Sequence, residues 1–491
     1  MESQVFSYIL SEKNEITEGL DVVRKFGKYY INTDSKTPYL YSSNSGCECI
    51  VFGYAVDLFS EDSYNLAERI LSKCHSIFDV IEFEKSLGGK YVIFYRLGME
   101  YYIVGDATCS IPIYYIVEKQ CVCSSNMNYL VSKYNLKSNL ELQSIRDKSD
   151  ISQAMPYDIT PYREIKQLLP NHYLYLNENK TIRFINFKNR QKKLSIEEAN
   201  EYVRPLIRRL CAFYCNNAKI YCPITSGKDS RTVLAFLLSN GEDVNCYTLK
   251  HKEHNNNSQD LVIPSILCSQ NELLYKQIED VELTSELKTR FDKILGENSY
   301  SHRSAVIAQT IAQNFTDGAI LNGDIIGQIG KCSLHRDIPE FFATPSYFRC
   351  KMHNHCKSSK HHIKKWKTEV DKSGEKVNIF DLFSVENRMG RWAAQTSVIY
   401  NSIGQLNLNI FNSRSIIYTW TAVDRKERKT GQLQLDLIKK EMPSLLDVPF
   451  ESDKNILIRF SKCNGVVYLA CSYMKYFLEG VKQMINKRTK K

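Results

Sequence analysis

The run Ala218–Arg231, A-K-I-Y-C-P-I-T-S-G-K-D-S-R, constrains this chain more than any other stretch. An apolar, strand-like segment, Ala218–Ile224, leads into a tight loop of small and hydroxyl residues. An apolar, helix-like segment, Thr232–Ser239, follows. Strand, tight loop and helix in that order belong to a parallel α/β sheet, whose ligand side lies at the carboxyl ends of the strands. Such a loop aims backbone N–H groups, hydroxyls and the positive end of a helix at one spot, which suits a phosphate. The plain alternative is an ordinary helix start, with Asp229 or Ser230 capping the helix at Thr232.

The surrounding pattern divides the chain in two. Residues 1 to about 185 carry strand-like runs at Ile50–Val56, Lys90–Tyr95, Tyr101–Gly105, Ile111–Val117 and Cys121–Ser124, with a helix-like stretch near Asn65–Cys74. This reads as antiparallel sheet with some helix. The polar, basic segment Phe187–Leu194 reads as a linker. From about 195, a helix near Ile196–Cys211, the loop region, a turn at Gly241 and strands at Val244–Thr248 and Ala319–Asn322 alternate as in a parallel sheet. The last third, from about Asp381, reads as mostly helical.

At 491 residues the chain has room for two or three cores. A hydrophobic content of 43% and a charged content of 24% are ordinary for a globular protein. No apolar run is long enough for a membrane span, and the first residues are too polar for a secretory signal, so a cytoplasmic protein is expected. Its sixteen cysteines then read as reduced thiols. Part of the net charge of +10 lies in the Lys/His-rich stretch Arg349–Lys367. No module for nucleic acid accompanies it.

The loop lacks the spacer and the Gly-Lys-Ser/Thr ending of a Walker A motif. It resembles the pyrophosphatase-type loop of the asparagine synthetase and ATP-pyrophosphatase families, Ser/Thr-Gly-Gly-any-Asp-Ser. Thr225 and Gly227 fill the first and third positions, Lys228 the variable one, Asp229 and Ser230 the last two; Ser226 replaces the first glycine. The resemblance implies ATP, cut between the α and β phosphates and cradled by Thr225, Ser226, Gly227, Lys228 and Ser230. It also implies Mg²⁺ on Asp229, since a carboxylate suits the cation rather than the phosphate. Backbone at Thr248 would hold the adenine, while Asp260 reads as no more than a helix start. The segment Leu321–Lys331, L-N-G-D-I-I-G-Q-I-G-K, is similar to the family's second anionic loop. Gly323 and Asp324 fit its beginning, with Asp324 as second Mg²⁺ ligand and Lys331 as a pyrophosphate contact; Gly327 and Gln328 stand where an Asp-Glu pair is usual. A plain glycine-rich turn is the alternative.

The first half looks like the glutaminase-type domain of the same family, on L-G-G-K-Y-V-I-F-Y, then D-A-T-C-S-I-P-I-Y-Y, then Thr160–Leu174. The implied architecture is an α+β domain over 1–185, a layered αββα sandwich of the N-terminal-nucleophile-hydrolase kind. An α/β domain over 195–491 follows, adenine-nucleotide α-hydrolase-like, with a helical C-terminal extension. The glutaminase reaction needs a cysteine as the first mature residue. Here the chain begins Met1-Glu2-Ser3, so that half is expected to be inactive.

Together these features imply an ATP-dependent amide-forming ligase that activates a carboxylate as an acyl-adenylate for attack by ammonia or an amine. The alternatives are an intramolecular amide synthetase resembling β-lactam synthetases or lasso-peptide cyclases, and a non-catalytic ATP-binding subunit. Partners would be a small-molecule or peptide carboxylate and an amine donor; a homodimer is left open. Lys429, with Arg428 in reserve, would neutralise charge near the acyl-adenylate. Glu386, Arg388 and Arg391 fall on one helix-like stretch, where Glu386 and Arg391 read as a helix ion pair. Leu408–Arg414 is similar to the family's Pro-Phe-Leu-Asp segment. Cys350–His362 has no zinc-finger spacing and reads as a mobile basic loop over the site, and specificity would lie around Ser299–Arg303.

Overall fold

Apolar runs, in the central strands buried on both faces, form two antiparallel sheets in the first half. The computed structural model describes residues 4–14, 17–60, 65–117, 122–147, 155–189, 191–252, 254–296, 300–451 and 464–488, with side chains to 482 in the last segment. The strands begin with β1 (Tyr8–Ser11), β2 (Val22–Phe26), β3 (Tyr29–Thr33), β4 (Tyr39–Asn44), β5 (Cys47–Asp57) and β6 (Leu87–Leu97). They continue with β7 (Glu100–Gly105), β8 (Tyr114–Ile116), β9 (Cys123–Ser124), β10 (Ile165–Gln167), β11 (His172–Tyr175) and β12 (Lys180–Arg183). One sheet runs β10-β8-β9-β1-β3-β2 and the other β12-β11-β7-β6-β5-β4.

The sheets face each other through Tyr8, Phe26 and Tyr29 on one side and Phe52, Phe94 and Tyr101 on the other, with rings in edge contact. Helices Leu66–Lys73 and Ile77–Glu84 cover the second sheet's outer face. Helix Met127–Tyr134 packs beside the first. The strands expected at Ile50–Val56, Lys90–Tyr95 and Tyr101–Gly105 lie inside β5, β6 and β7. The one expected over Ile111–Val117 pairs only at Tyr114–Ile116, after Pro112, which has no N–H to give a ladder. Cys121 lies outside the described residues.

Helix Ile196–Asn217, longer than expected, opens the second half with a capping box at Ser195 and Glu198. A parallel sheet follows, built from β13 (Ile220–Pro223), β14 (Asn245–Lys250), β15 (Leu274–Glu279), β16 (Ala319–Leu321) and β17 (Leu406–Leu408). Its order is β15-β14-β13-β16-β17. The chain builds outward from β13 through β14 and β15, then returns to add β16 on the other side. The strand order therefore reverses between β13 and β16, and in open α/β sheets the crevice at such a reversal is the ligand position. The last third is mostly helical, but β17 also completes the sheet inside the segment Leu408–Arg414 and just before it.

The halves meet along a buried polar seam. Arg414 donates to Glu84 and to Asn171. Glu386, fully buried, accepts from both terminal nitrogens of Arg183, from Asn171 and from the Trp366 indole. Lys90 on β6 donates to Ser397, Asn401 and the Asn407 carbonyl. Glu386 and Arg391 do not form the expected helix ion pair. Arg391 turns instead to Gln167 and to the carbonyls of Met155 and Ile159, while Glu386 is taken up by Arg183, Asn171 and Trp366.

Arg349–Lys367 is not a mobile loop. Helix Pro345–Lys351 and helix Ser359–Ser373 hold it, and it docks on the last helix, Gly465–Arg488. His353 pairs with Glu479, His355 stacks on Tyr476, and Lys351 donates to Tyr468. No disulfide forms among the described cysteines. No helix among the described residues is long and apolar enough to cross a membrane.

Candidate functional site

The loop after β13 sits at the reversal of strand order. Its helix spans Lys228–Ser239, starting earlier than Thr232, with Gly227 as N-cap and no side chain capping it. The expected cap by Asp229 or Ser230 is therefore absent, since both already lie in the first turn. The amides of Lys228, Asp229 and Ser230 have no acceptor among the described residues. These are the unsatisfied donors with which a helix start binds anions.

The rest of the loop is braced from within. Thr225 is exposed; its amide donates to the Ser230 hydroxyl at 3.1 Å, and its own hydroxyl accepts from the Gly227 amide at 3.3 Å. Ser226 corrects the expectation of a phosphate-donating hydroxyl. It is fully buried, and both its amide, at 3.1 Å, and its hydroxyl, at 2.5 Å, donate to Asp260 Oδ1. Asp260 thus does more than start helix Gln259–Gln270: the parallel pairing of β13 and β14 brings that helix start beside the loop. Thr248 ties β14 to the loop through its hydroxyl on the Ile224 carbonyl, 2.6 Å away.

The second loop meets the first. Asp229 Oδ1 accepts from Gln434 at 2.9 Å, and its Oδ2 lies over Gly327. Gly323 packs on the Asp229 backbone so closely that a β-carbon there would stand 2.9 Å from its carbonyl oxygen. Short π-helical backbone, Ile326–Gly330, follows Asp324. Asp324 is solvent-exposed, with enough protein packed around it to disfavour its charge. That crowding raises its pKa, the Arg388 charge opposes the rise, and the Asp229 charge adds to it. Lys228 is held low by burial and by the charge of Lys331, and donates to the Thr430 carbonyl at 2.8 Å. Two acidic and several basic groups therefore share one crevice.

Other expected site residues fall elsewhere. Lys429 pairs with Asp337 at 2.7 Å, beside the segment that touches Lys228. Arg428 is buried on Asp381 and the Ile329 and Val423 carbonyls, a structural clamp. Ser299, and the Met1–Ser3 end on which the glutaminase expectation turned, lie outside the described residues. Arg303 belongs to helix His302–Asn314, capped by Ser301. Two clefts of about 670 and 410 Å³ open beside the linker and include no residue of the 225–230 loop.

Asp260, Gln434, Arg388 and Trp392 were not expected at the site. Only Arg388 and Trp392 left a readable mark, a cation and a ring one helical turn apart. No group of three His, Cys, Asp or Glu side chains among the described residues is arranged to hold a metal. Asp229 and Asp324 would hold Mg²⁺ only together with phosphate oxygens and water, which is its usual manner. The residues fit that group: carboxylates on two loops that meet, unsatisfied helix amides, and a buried Gln434 Oε1 that finds no partner. Compared with known proteins, the chain matches no protein family and no curated sequence.

Proposed function

We propose that this chain is an ATP-dependent amide-forming ligase of the asparagine synthetase type. Its halves would be an N-terminal-nucleophile-hydrolase-like sandwich without glutaminase activity and an adenine-nucleotide α-hydrolase-like domain. The observation that carries the reading is the meeting of the loops after β13 and β16 at the reversal of strand order, with Asp229 held between Gly323 and Gly327. The amides of Lys228, Asp229 and Ser230 would receive the pyrophosphate end of ATP, with Lys228 and Lys331 adding positive charge. Mg²⁺, when bound, would screen the leaving pyrophosphate.

In the reaction, a substrate carboxylate oxygen bonds to the α-phosphorus. The bond to the bridging oxygen breaks, and pyrophosphate leaves. An amine then attacks the acyl carbon and AMP leaves. Incubation with ATP, Mg²⁺ and candidate carboxylates tests this directly. Pyrophosphate is the expected product, lost in Asp229→Ala; ADP and phosphate would overturn the reading.

One observation favours a second reading, nucleotide binding without turnover. Asp260 already occupies the Ser226 amide and hydroxyl, donors the family's loop keeps for phosphate. Saturable ATP binding with no product across many carboxylates and amines would support it.

A further inference from the structure

The π-helical segment Ser384–Ala393 carries a feature the loops do not explain. The Arg388 guanidinium carbon lies 3.7 Å from the centre of the Trp392 ring. Arg388 donates no hydrogen bond to any described residue, and its Nε is buried without a partner. The indole Nε1 of Trp392, one turn on, is buried and unpartnered as well. Leaving such donors unpaired is costly, more so when charged. Arg183, Arg391, Arg414 and Arg428 each bond several acceptors, and Arg388 bonds none of the described residues. The segment that carries Arg388 packs against the π-helical turn Ile326–Gly330, which follows directly on Asp324 and Ile325. A stretch of π-helix often marks a functional position, because the wider turn frees side chains and backbone from their regular neighbours.

We propose that Arg388, backed by the Trp392 ring, is the oxyanion receptor of the crevice. A guanidinium resting over an aromatic face can keep its planar fork free for paired oxygens. Within the ligase reaction, on which this role rests, the oxyanion is either the α-phosphate of the nucleotide or the carboxylate that attacks it. Both are oxygen anions that must come together beside Asp324. Arg388 would hold the one and draw in the other as charge builds between them.

The test uses the full chain and known probes. AMP and adenosine binding are measured by calorimetry, and acetate and inorganic phosphate binding by tryptophan fluorescence. Trp366 and Trp420 are fully buried, so Trp392 is the reporter, and Trp392→Phe identifies its signal. If Arg388 holds the α-phosphate, Arg388→Ala weakens AMP by about tenfold or more and leaves adenosine unchanged. If it holds the carboxylate, AMP is unchanged and the acetate response disappears. Wild-type behaviour of Arg388→Ala toward every probe, or no response of the wild-type protein to any of them, overturns the proposal. Should the alanine variant not fold, Arg388→Lys keeps the charge without the fork, and unaltered affinities there overturn it equally. Intact anion binding without pyrophosphate release would sink the ligase reading and leave the receptor standing.

Discussion

Asp229 Oδ2 occupies the space into which a side chain at position 327 would grow: a β-carbon on Gly327 would stand 2.7 Å from it. The same carboxylate is fixed on its other oxygen by Gln434. Loop and counter-loop are thus fitted to each other through one acidic side chain.

The first prediction follows from that fit. Gly327→Ala adds a methyl group that Asp229 must leave room for, while alanine suits helical backbone better than glycine. Thermal stability should stay within about 1 kcal/mol of the parent. Magnesium-dependent pyrophosphate release should fall at least about tenfold, a loss of roughly 1.4 kcal/mol in transition-state stabilisation. Equal activity in the variant would mean that the position of Asp229 is immaterial.

Asp260 shapes the loop through Ser226. Asp260→Ala leaves the buried Ser226 amide and hydroxyl without an acceptor, and hydrogen bonds to a charged group contribute about 1.5–3 kcal/mol. Urea unfolding should register a loss of that size. Pyrophosphate binding should weaken as the loop relaxes. Tighter binding would instead mark Asp260 as a competitor for the phosphate position, as the reading without turnover requires.

The seam between the halves should respond to pH at its alkaline side through Lys90. Burial lowers this lysine to about 7 from 10.5. Between those values the unfolded chain binds more protons than the folded one, so stability rises with pH from about 7 toward 10.5. Melting temperatures of the parent should climb over that window. Lys90→Met should flatten the climb and be relatively more stable near pH 6; parallel curves would contradict a buried, reluctantly charged lysine.

At the acid side the governing group is Glu369. Burial works against its charge, but the hydrogen bond from His172 and the charge of Arg183 hold it down to about 2. A depressed carboxyl contributes stability above its unfolded value of 4.5, lost as pH falls from there through about 2. Glu369→Gln should remove part of that acid loss, followed by circular dichroism from pH 6 to 2.

Glu386 tests the same seam at neutral pH. Glu386→Ala leaves Arg183, Asn171 and the Trp366 indole short of their shared acceptor, and breaking a buried ion pair from one side costs about 3–5 kcal/mol. Chemical denaturation should show that loss. A value under about 1 kcal/mol would mean that Glu369, 3.3 Å from Arg183, takes over as its partner.

Local pattern was enough for part of this protein. The short apolar runs of β5, β6 and β7 and the strand–loop–helix at Ile220–Ser239 depend on which stretches are apolar and which residues turn, and both are written in order along the chain. That the loops carrying Asp229 and Asp324 meet was readable only through the resemblance of two motifs; what joins them in space is the reversal of strand order between β13 and β16. Residues that act across long separations stayed silent. Ser226 and Asp260 are bonded across 34 positions, Asp229 and Gln434 across 205, and Arg183 and Glu386 across 203. Arg391 took acceptors from the first half rather than the neighbouring Glu386, because the buried acceptors of the seam outweigh the few tenths of a kcal/mol in a helix pair. Hydrophobic period and turn chemistry act between neighbours, so the sequence states them outright; the pairing of buried polar groups is set by the desolvation each suffers in the folded chain, and only the tertiary structure decides who satisfies whom.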